Sequence, residues 1–136
     1  MRLAIVIAGT GLALVACDAT APRPRTFEDL RIYGRQLFAT PEECASAQAA
    51  GMTYCSQEAT FCPDGRASVR LSDHLLAAEY GIRHDTLTLH FAVYQESPPE
   101  MYFAVSNDES AITATSTSEI WARDLARELS LTGFCE

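Results

Sequence analysis

Residues 76–93 read LAAEYGIRHDTLTLHFAV and carry the clearest structural signal in the chain. Apolar and polar side chains alternate on both sides of His84 and Asp85, and this period of two is typical of strands that are buried on one face. His and Asp tolerate the left-handed backbone of a tight turn better than most residues do. The stretch therefore predicts two antiparallel strands joined by a turn at these two residues.

The same alternation continues before and after this hairpin. Residues 54–61 and 66–71 precede it and are separated by a Pro-Asp-Gly turn signal at 63–65, while residues 101–105 and 112–114 follow it. Short strands joined by short turns are typical of an antiparallel meander with one apolar face. We therefore expect five to six strands in one sheet.

Helix signals flank the alternating region. Residues 40–43 read Thr-Pro-Glu-Glu, with an N-cap, a proline at the first helical position and a glutamate that closes a capping box, so they predict a short helix ending at Gly51. Ser-Thr-Ser-Glu at 116–119 is a second capping box and predicts a C-terminal helix ending before Gly133. The mixed period of residues 27–38 predicts a short helix or an irregular segment. The expected fold class is α+β, with the sheet joined to a short N-terminal helix and a C-terminal helix.

Five cysteines occur, and the last four form an even set. Two disulfides are typical of a small domain in an oxidising compartment, so we expect these four cysteines to be paired. They allow three connectivities, of which we favour Cys44 with Cys55 and Cys62 with Cys135.

The remaining cysteine, Cys17, ends the sequence LVAC at residues 14–17. It follows Arg2 and an uncharged apolar run at 3–16 that is too short for a permanent membrane span. This stretch resembles the lipobox of bacterial lipoprotein precursors. The resemblance implies removal of a signal peptide and attachment of fatty acids such as palmitate to Cys17. The alternative is an ordinary secreted protein that is cleaved near Ala16 and keeps Cys17 as a structural cysteine.

Three regions follow from this interpretation. Residues 1–16 are the lipoprotein signal peptide, residues 17–26 are the lipidated cysteine and a tether, and residues 27–136 are a single globular α+β domain. The tether contains alternating proline and arginine, a composition that keeps a chain extended at about 3 Å per residue. We expect the domain to be lipid-anchored to a bacterial envelope membrane and to face the periplasm or the exterior. The choice between inner and outer membrane stays open.

The charge balance restricts the partners. The chain has 10 basic and 18 acidic residues, for a net charge of −8. Such a surface repels phosphate backbones and anionic headgroups, so we expect no nucleic-acid binding and assign membrane contact to the lipid. A basic protein partner would suit this charge, whereas the alternative is a solvated acidic surface that only keeps the domain soluble.

The residues that could carry chemistry show no catalytic signature. His74, His84 and His90 lack the spacing of a metal site, and the chain has no nucleophile elbow, Walker loop, dinucleotide fingerprint or Cys-x-x-Cys pair. We therefore expect exposed histidines, no enzymatic activity, no cofactor and no metal. His90, Tyr94 and Tyr102 lie on the polar face of the strands and form a candidate recognition patch. The alternatives are that a helix covers this face or that the tyrosines fill cross-strand pairs.

Three classes of function remain for such a domain. The first is a lipid-anchored extracytoplasmic module without enzymatic activity that binds a partner or supports the envelope. The second is an inhibitor of a cell-wall-degrading enzyme. The third is a small-molecule carrier, which would require the sheet to close around a cavity.

The second class follows from a resemblance. Phe-Cys-Pro-Asp-Gly at 61–65, the strands after it, Trp121 and Cys135 resemble the small disulfide-closed β-barrel lipoproteins that inhibit C-type lysozyme. The resemblance implies a periplasmic inhibitor with an acidic surface. The chain lacks the Ser-Gly-x-x-Tyr segment and the lysine of that family, and the capping box at 116–119 predicts a helix where the family has strands.

Overall fold

The computed structural model of the chain describes residues 22–92 and 99–136. It contains eight strands and two helices. In chain order these are β1 (Arg31–Gln36), α1 (Pro41–Ala49), β2 (Ser56–Phe61), β3 (Arg66–Arg70), β4 (Leu75–Arg83), β5 (Thr86–Phe91), β6 (Glu100–Val105), β7 (Ala111–Ala114), β8 (Ile120–Arg123) and α2 (Leu125–Ser130). Each strand pairs antiparallel with the next, and β8 pairs with β1, so the sheet is a closed barrel.

The predicted α+β fold with a five- to six-stranded meander is therefore wrong. The chain forms a closed antiparallel barrel of eight strands, with two short helices. Six of these strands, β2 to β7, lie where the alternating pattern indicated strands. The two that the pattern did not reveal are β1 and β8, which pair with each other to close the barrel.

Strand β1 lacks alternation because both of its faces are covered. Ile32 and Tyr33 are adjacent and therefore point to opposite faces of the sheet, yet both are fully buried. Tyr33 lies in the interior cluster, whereas Ile32 lies where α2 packs against β1. The next residue, Gly34, has no side chain and adds nothing to the pattern. Adjacent buried residues produce the mixed period that predicted a helix or an irregular segment.

Strand β8 lies inside the region predicted as a C-terminal helix. The capping-box residues 116–119 belong instead to the turn between β7 and β8, in which Ser118 has a φ of 59°. Only Trp121 of this four-residue strand is fully buried, so the strand is too short to show an alternating pattern. The helix begins later, at Leu125, and Asp124 caps it by accepting a hydrogen bond of 2.9 Å from the backbone N–H of Arg127.

The predicted N-terminal helix is confirmed as α1. The Thr40 hydroxyl accepts a hydrogen bond of 3.2 Å from the backbone N–H of Glu43, and the Glu43 carboxylate accepts one of 3.0 Å from the backbone N–H of Ala39. Gly51 follows the helix with a φ of 103°, a left-handed conformation that ends many helices.

Both disulfides have the favoured connectivity. Cys44 pairs with Cys55 across a Cα–Cα distance of 5.7 Å, and Cys62 pairs with Cys135 across 5.5 Å. The first joins α1 to the residues before β2, and the second joins the C-terminal segment to the end of β2. Both cross-links therefore hold segments that lie outside the barrel sheet.

The interior of the barrel is filled by its own side chains. Eight-stranded barrels are just wide enough for side chains to fill them. The buried cluster includes inward residues from all eight strands, together with Phe27 from the segment before β1. Its largest members are Trp121, Tyr33, Phe27, Phe61 and Phe103. The core is thus mainly aromatic and aliphatic.

Phe27 closes one end of the barrel. Its ring packs against those of Tyr33, Phe61 and Tyr80 at centroid distances of 5.6 to 5.9 Å. The Tyr80 hydroxyl accepts a hydrogen bond of 3.0 Å from the backbone N–H of Phe27 and donates one of 2.8 Å to the Cys62 carbonyl. Burial raises the pKa of Tyr80 to about 12, so the hydroxyl keeps its proton. This end is therefore sealed by packed rings and satisfied backbone groups.

The two ends of the barrel differ in what covers them. We call the first the N-terminal end, and it carries residues 22–30, the turns at 62–65, 84–85 and 106–110, and α2. We call the other the distal end, and it carries α1 and the turns at 71–74 and 115–119. Within residues 22–92 and 99–136, no helix is long and apolar enough to span a membrane.

Part of the predicted tether is docked on the N-terminal end. The backbone N–H of Arg25 donates to the Ile82 carbonyl at 2.9 Å, and the N–H of Ile82 donates to the Arg25 carbonyl at 2.8 Å. The side chain of Pro24 lies over Gly81, where a Cβ atom would be only 2.7 Å away. The chain from Pro24 onward is thus held against β4.

Candidate functional site

A row of charged side chains crosses the outer wall of the barrel. The strand registers pair Arg66 with Glu79, Glu79 with His90, and His90 with Glu100, so β3, β4, β5 and β6 each contribute one residue. Directly opposed residues on one face lie about 4.5–5.5 Å apart at Cβ. The row therefore places two carboxylates beside an imidazole and a guanidinium on exposed surface.

Glu100 connects two of the predicted patch residues. One of its carboxylate oxygens lies 2.9 Å from Nδ1 of His90, and the other accepts a hydrogen bond from the Tyr102 hydroxyl. This hydrogen bond raises the pKa of Tyr102 above its ordinary value. We call His90, Glu100 and Tyr102 the outer patch, and it offers a phenol, an imidazole and a carboxylate for polar contacts.

Sequence reasoning missed Glu100 because alternation shows the face of a side chain but not its neighbour on the next strand. The available signal was that Glu100 lies two residues before Tyr102 and therefore shares its face. The opposition of Glu100 to His90 depends on the register between β5 and β6. The connection between those strands contains residues 93–98, which lie outside the described structure.

Two of the three residues of the predicted recognition patch lie in the described structure. His90 and Tyr102 lie together, whereas Tyr94 falls outside the described residues. Tyr102 is 46% exposed, so none of the described elements covers it. It is also the cross-strand partner of Thr88. An exposed tyrosine in a cross-strand pair can still contact a partner.

Two shallow grooves border the charged row. One, of about 540 Å³, is lined by Gly81, Thr88 and other residues toward the N-terminal end. The other, of about 590 Å³, is lined by Ala77, Ala92 and Phe134 among others. Residues of the row contribute to both grooves. Of the outer patch, His90 borders both grooves, whereas Glu100 and Tyr102 lie beside them on β6.

The distal end is closed by a polar network that the sequence did not reveal. The Arg35 guanidinium lies 2.6 Å from the Glu119 carboxylate, donates a hydrogen bond of 2.7 Å to the Gln57 side chain and lies 5.8 Å from the centroid of the Trp121 ring. The indole N–H of Trp121 is buried beneath it and has no hydrogen-bond partner among the described residues. With Phe27 at the opposite end, this network encloses the filled interior.

The three histidines lie apart, and all are exposed, as predicted. His74 lies in the distal turn beside Asp73, with a nitrogen–oxygen distance of 3.4 Å, and His84 lies in the turn at the N-terminal end. In the part of the chain that the structure describes, no group of three or more His, Cys, Asp and Glu residues is arranged to hold a metal ion.

The predicted lipid site cannot be placed in this geometry. Cys17 and the signal-peptide residues 1–16 lie outside the described residues. The first described residue is Pro22, five positions after Cys17. Lipidation therefore stays a prediction from the LVAC sequence.

Comparison with known proteins found no match to this chain among family models, curated proteins or solved structures.

Proposed function

We propose that this chain is a lipid-anchored extracytoplasmic domain without enzymatic activity, which binds a partner through the outer wall of its barrel. The anchor is Cys17, exposed by removal of residues 1–16, and the domain faces the periplasm or the exterior of a bacterial envelope. The lipobox-like sequence supports the anchor. The two cysteine pairs support export, because disulfides form and persist mainly in oxidising compartments.

The observation that carries the binding role is the filled interior. A carrier needs an internal cavity, but the side chains of Trp121, Tyr33 and Phe103 are among those that occupy the inside of this barrel. The outer patch, in contrast, combines an exposed tyrosine with hydrogen-bonding groups, and its His90 borders two grooves. Tyrosine is enriched at protein interfaces because it provides apolar area and a polar tip. The outer wall is therefore the surface on which recognition is best supported.

The partner class follows from charge. The excess of acidic residues disfavours nucleic acid, and two carboxylates, Glu79 and Glu100, belong to the charged row. A partner with basic side chains would meet complementary charge there. The domain needs neither cofactor nor metal for this role.

Site-specific photocrosslinking in the native host tests this function. A photoreactive amino acid replaces Tyr102 in one variant and Ala122, an exposed residue on β8, in the matched control. We expect an adduct of defined mass from position 102 that is lost when Glu100→Ala is added, and no such adduct from position 122. Identical adducts from both positions, or none from position 102, would contradict recognition by the outer patch.

A second candidate, inhibition of a cell-wall-degrading enzyme, is favoured by two features. The sheet is a closed barrel tied by the pair of Cys62 and Cys135, as in the lipoproteins that inhibit C-type lysozyme. Residues Ile120–Arg123 form a strand where the sequence had predicted a helix, which removes one difference from that family. The missing Ser-Gly-x-x-Tyr segment and the missing lysine remain as differences.

Titration of the mature domain into C-type lysozyme distinguishes the two candidates. An inhibitor would reduce lysis of cell-wall substrate in proportion to the amount added until the enzyme is saturated. Unchanged lysis at a micromolar excess of the domain would remove the inhibitor hypothesis and leave the binding module.

A further inference from the structure

The short helix α2 exposes apolar side chains at the N-terminal end of the barrel. Leu125 and Leu129, four positions apart, are 59% and 77% exposed, and Phe134 in the segment after the helix is 47% exposed. These three residues line one groove together with Leu30. We call Leu125, Leu129 and Phe134 the apolar edge. Burial of these side chains by a partner is favourable, because it removes apolar surface from water.

Polar contacts hold α2 in place and leave these leucines free. The Asp124 backbone N–H donates to the Ile32 carbonyl at 2.8 Å, and the Glu128 carboxylate accepts from the Ile32 N–H at 3.0 Å. Arg127 pairs with Glu58 on β2 at 3.3 Å. None of the residues of α2 is buried, so the helix is attached by its polar face.

The charges on and beside α2 balance. Arg123 and Arg127 are accompanied by Asp124 and Glu128, so residues 123–129 have no net charge although the whole chain has −8. The Arg123 guanidinium and the Glu128 carboxylate form an ion pair at 2.9 Å. Residues of both signs also line the groove farther from α2, namely Asp29, Arg31, Asp64 and Glu136. A zwitterionic lipid surface carries no net charge, so these mixed charges do not repel it.

The length of chain before the described residues limits where this end can be. Cys17 precedes Pro22 by five residues, which span at most about 18 Å when fully extended. Residues 24–26 are held against β4 at the N-terminal end by the Arg25 and Ile82 backbone bonds. An anchored Cys17 therefore keeps this end of the barrel near the bilayer.

We infer that the apolar edge rests on the lipid bilayer, so that Leu125 and Leu129 enter the interface while the barrel stands with its distal end outward. This inference rests on the proposed anchor at Cys17. The lipid holds the chain at the membrane, and the apolar edge fixes the orientation of the barrel. Residues of α2 then contact the interface as those of an amphipathic helix do.

Tryptophan quenching by brominated lipid tests this orientation. Leu125→Trp and Leu75→Trp are matched variants, because both leucines are 59% exposed and Leu75 begins β4 at the distal end. Each variant is purified as the mature protein from membranes of its native host. It is then reconstituted in phosphatidylcholine vesicles with or without brominated acyl chains. The native Trp121 is buried in the barrel and supplies a constant background. Cooperative unfolding of each variant shows that it is folded.

We expect about a twofold loss of the added fluorescence for Leu125→Trp in brominated vesicles and no loss for Leu75→Trp. Flotation of the vesicles shows whether the protein is attached to the membrane, independently of the orientation that quenching reports. Protein that floats with the vesicles but shows no quenching of Leu125→Trp, or equal quenching of both variants, overturns the orientation alone. Protein that does not float removes the anchor, and the orientation with it.

Discussion

The seam between β1 and β8 depends on a side chain as well as on strand pairing. The two strands share only two paired positions, Tyr33 with Arg123 and Gly34 with its partner on β8. Beyond them, Glu128 accepts the Ile32 N–H at 3.0 Å and receives hydrogen bonds of 2.9 to 3.2 Å from Arg123. Burial opposes ionisation of Glu128, but these hydrogen bonds outweigh it and hold its pKa below the ordinary value. This carboxylate therefore continues the seam where the β8 pairing ends.

Two substitutions of Glu128 separate the contributions of its hydrogen bonds and its charge to the free energy of unfolding. Glu128→Ala leaves the Ile32 N–H without a partner, which costs about 1–3 kcal/mol, and leaves the Arg123 guanidinium unpaired. We expect a total loss of about 2–4 kcal/mol, because Glu128 and Arg123 are only 10% and 22% exposed in their side chains. Glu128→Gln keeps an oxygen for Ile32 and loses only the charge, so we expect about 1–2 kcal/mol.

Urea unfolding with intact disulfides measures these losses, with the fluorescence of buried Trp121 as the probe. Arg127→Ala is the control, because its ion pair with Glu58 is exposed and should contribute less than about 0.5 kcal/mol. If Glu128→Ala is no less stable than this control, the seam does not depend on the carboxylate and the reasoning is refuted.

Three further outcomes follow from named contacts. A lowered carboxyl pKa adds its full stability above the pKa of the unfolded chain and loses it as the pH falls through the folded value. The difference in urea midpoint between the wild type and Glu128→Gln should therefore shrink as the pH falls below 4.5. Gly81→Ala would place a methyl group 2.7 Å from Pro24, so it should displace the N-terminal segment and increase trypsin cleavage after Arg25 in the folded protein. Cys135→Ser opens a loop of 73 residues and should lower the free energy of unfolding by about 4 kcal/mol, as measured by urea unfolding.

The sequence predicts the parts of the barrel in which one face is buried and the other is solvated. Leu87 and Leu89 on β5 point inward and are fully buried, while the residue after each of them, Thr88 and His90, points outward, so alternation is clear. The turn at His84 is predicted for a related reason, because its φ of 56° needs a residue that tolerates a left-handed backbone. These features depend on local chemistry alone.

Closure of the barrel could not be predicted in this way. The Ile32 backbone N–H bonds the carboxylate of Glu128 on α2, 96 positions away in the chain. Ile32 and its neighbour Tyr33 are both fully buried, which removes the alternation from β1. The serine and threonine residues near 116–119 suit a turn as well as a helix cap, because their side chains bond the local backbone in both. The outer patch was predicted only through His90 and Tyr102, since the position of Glu100 between them is set by strand register. Long-range contacts thus account for the errors.

Export of the chain and acylation of Cys17 are required for both the proposed anchor and the inferred orientation. The intact mass of the protein purified from its native host membranes tests them directly. We expect a chain that begins at Cys17, carries acyl groups at its amino end and retains two disulfides. A chain that still contains residues 1–16, or one with an unmodified Cys17, would contradict the proposed anchor.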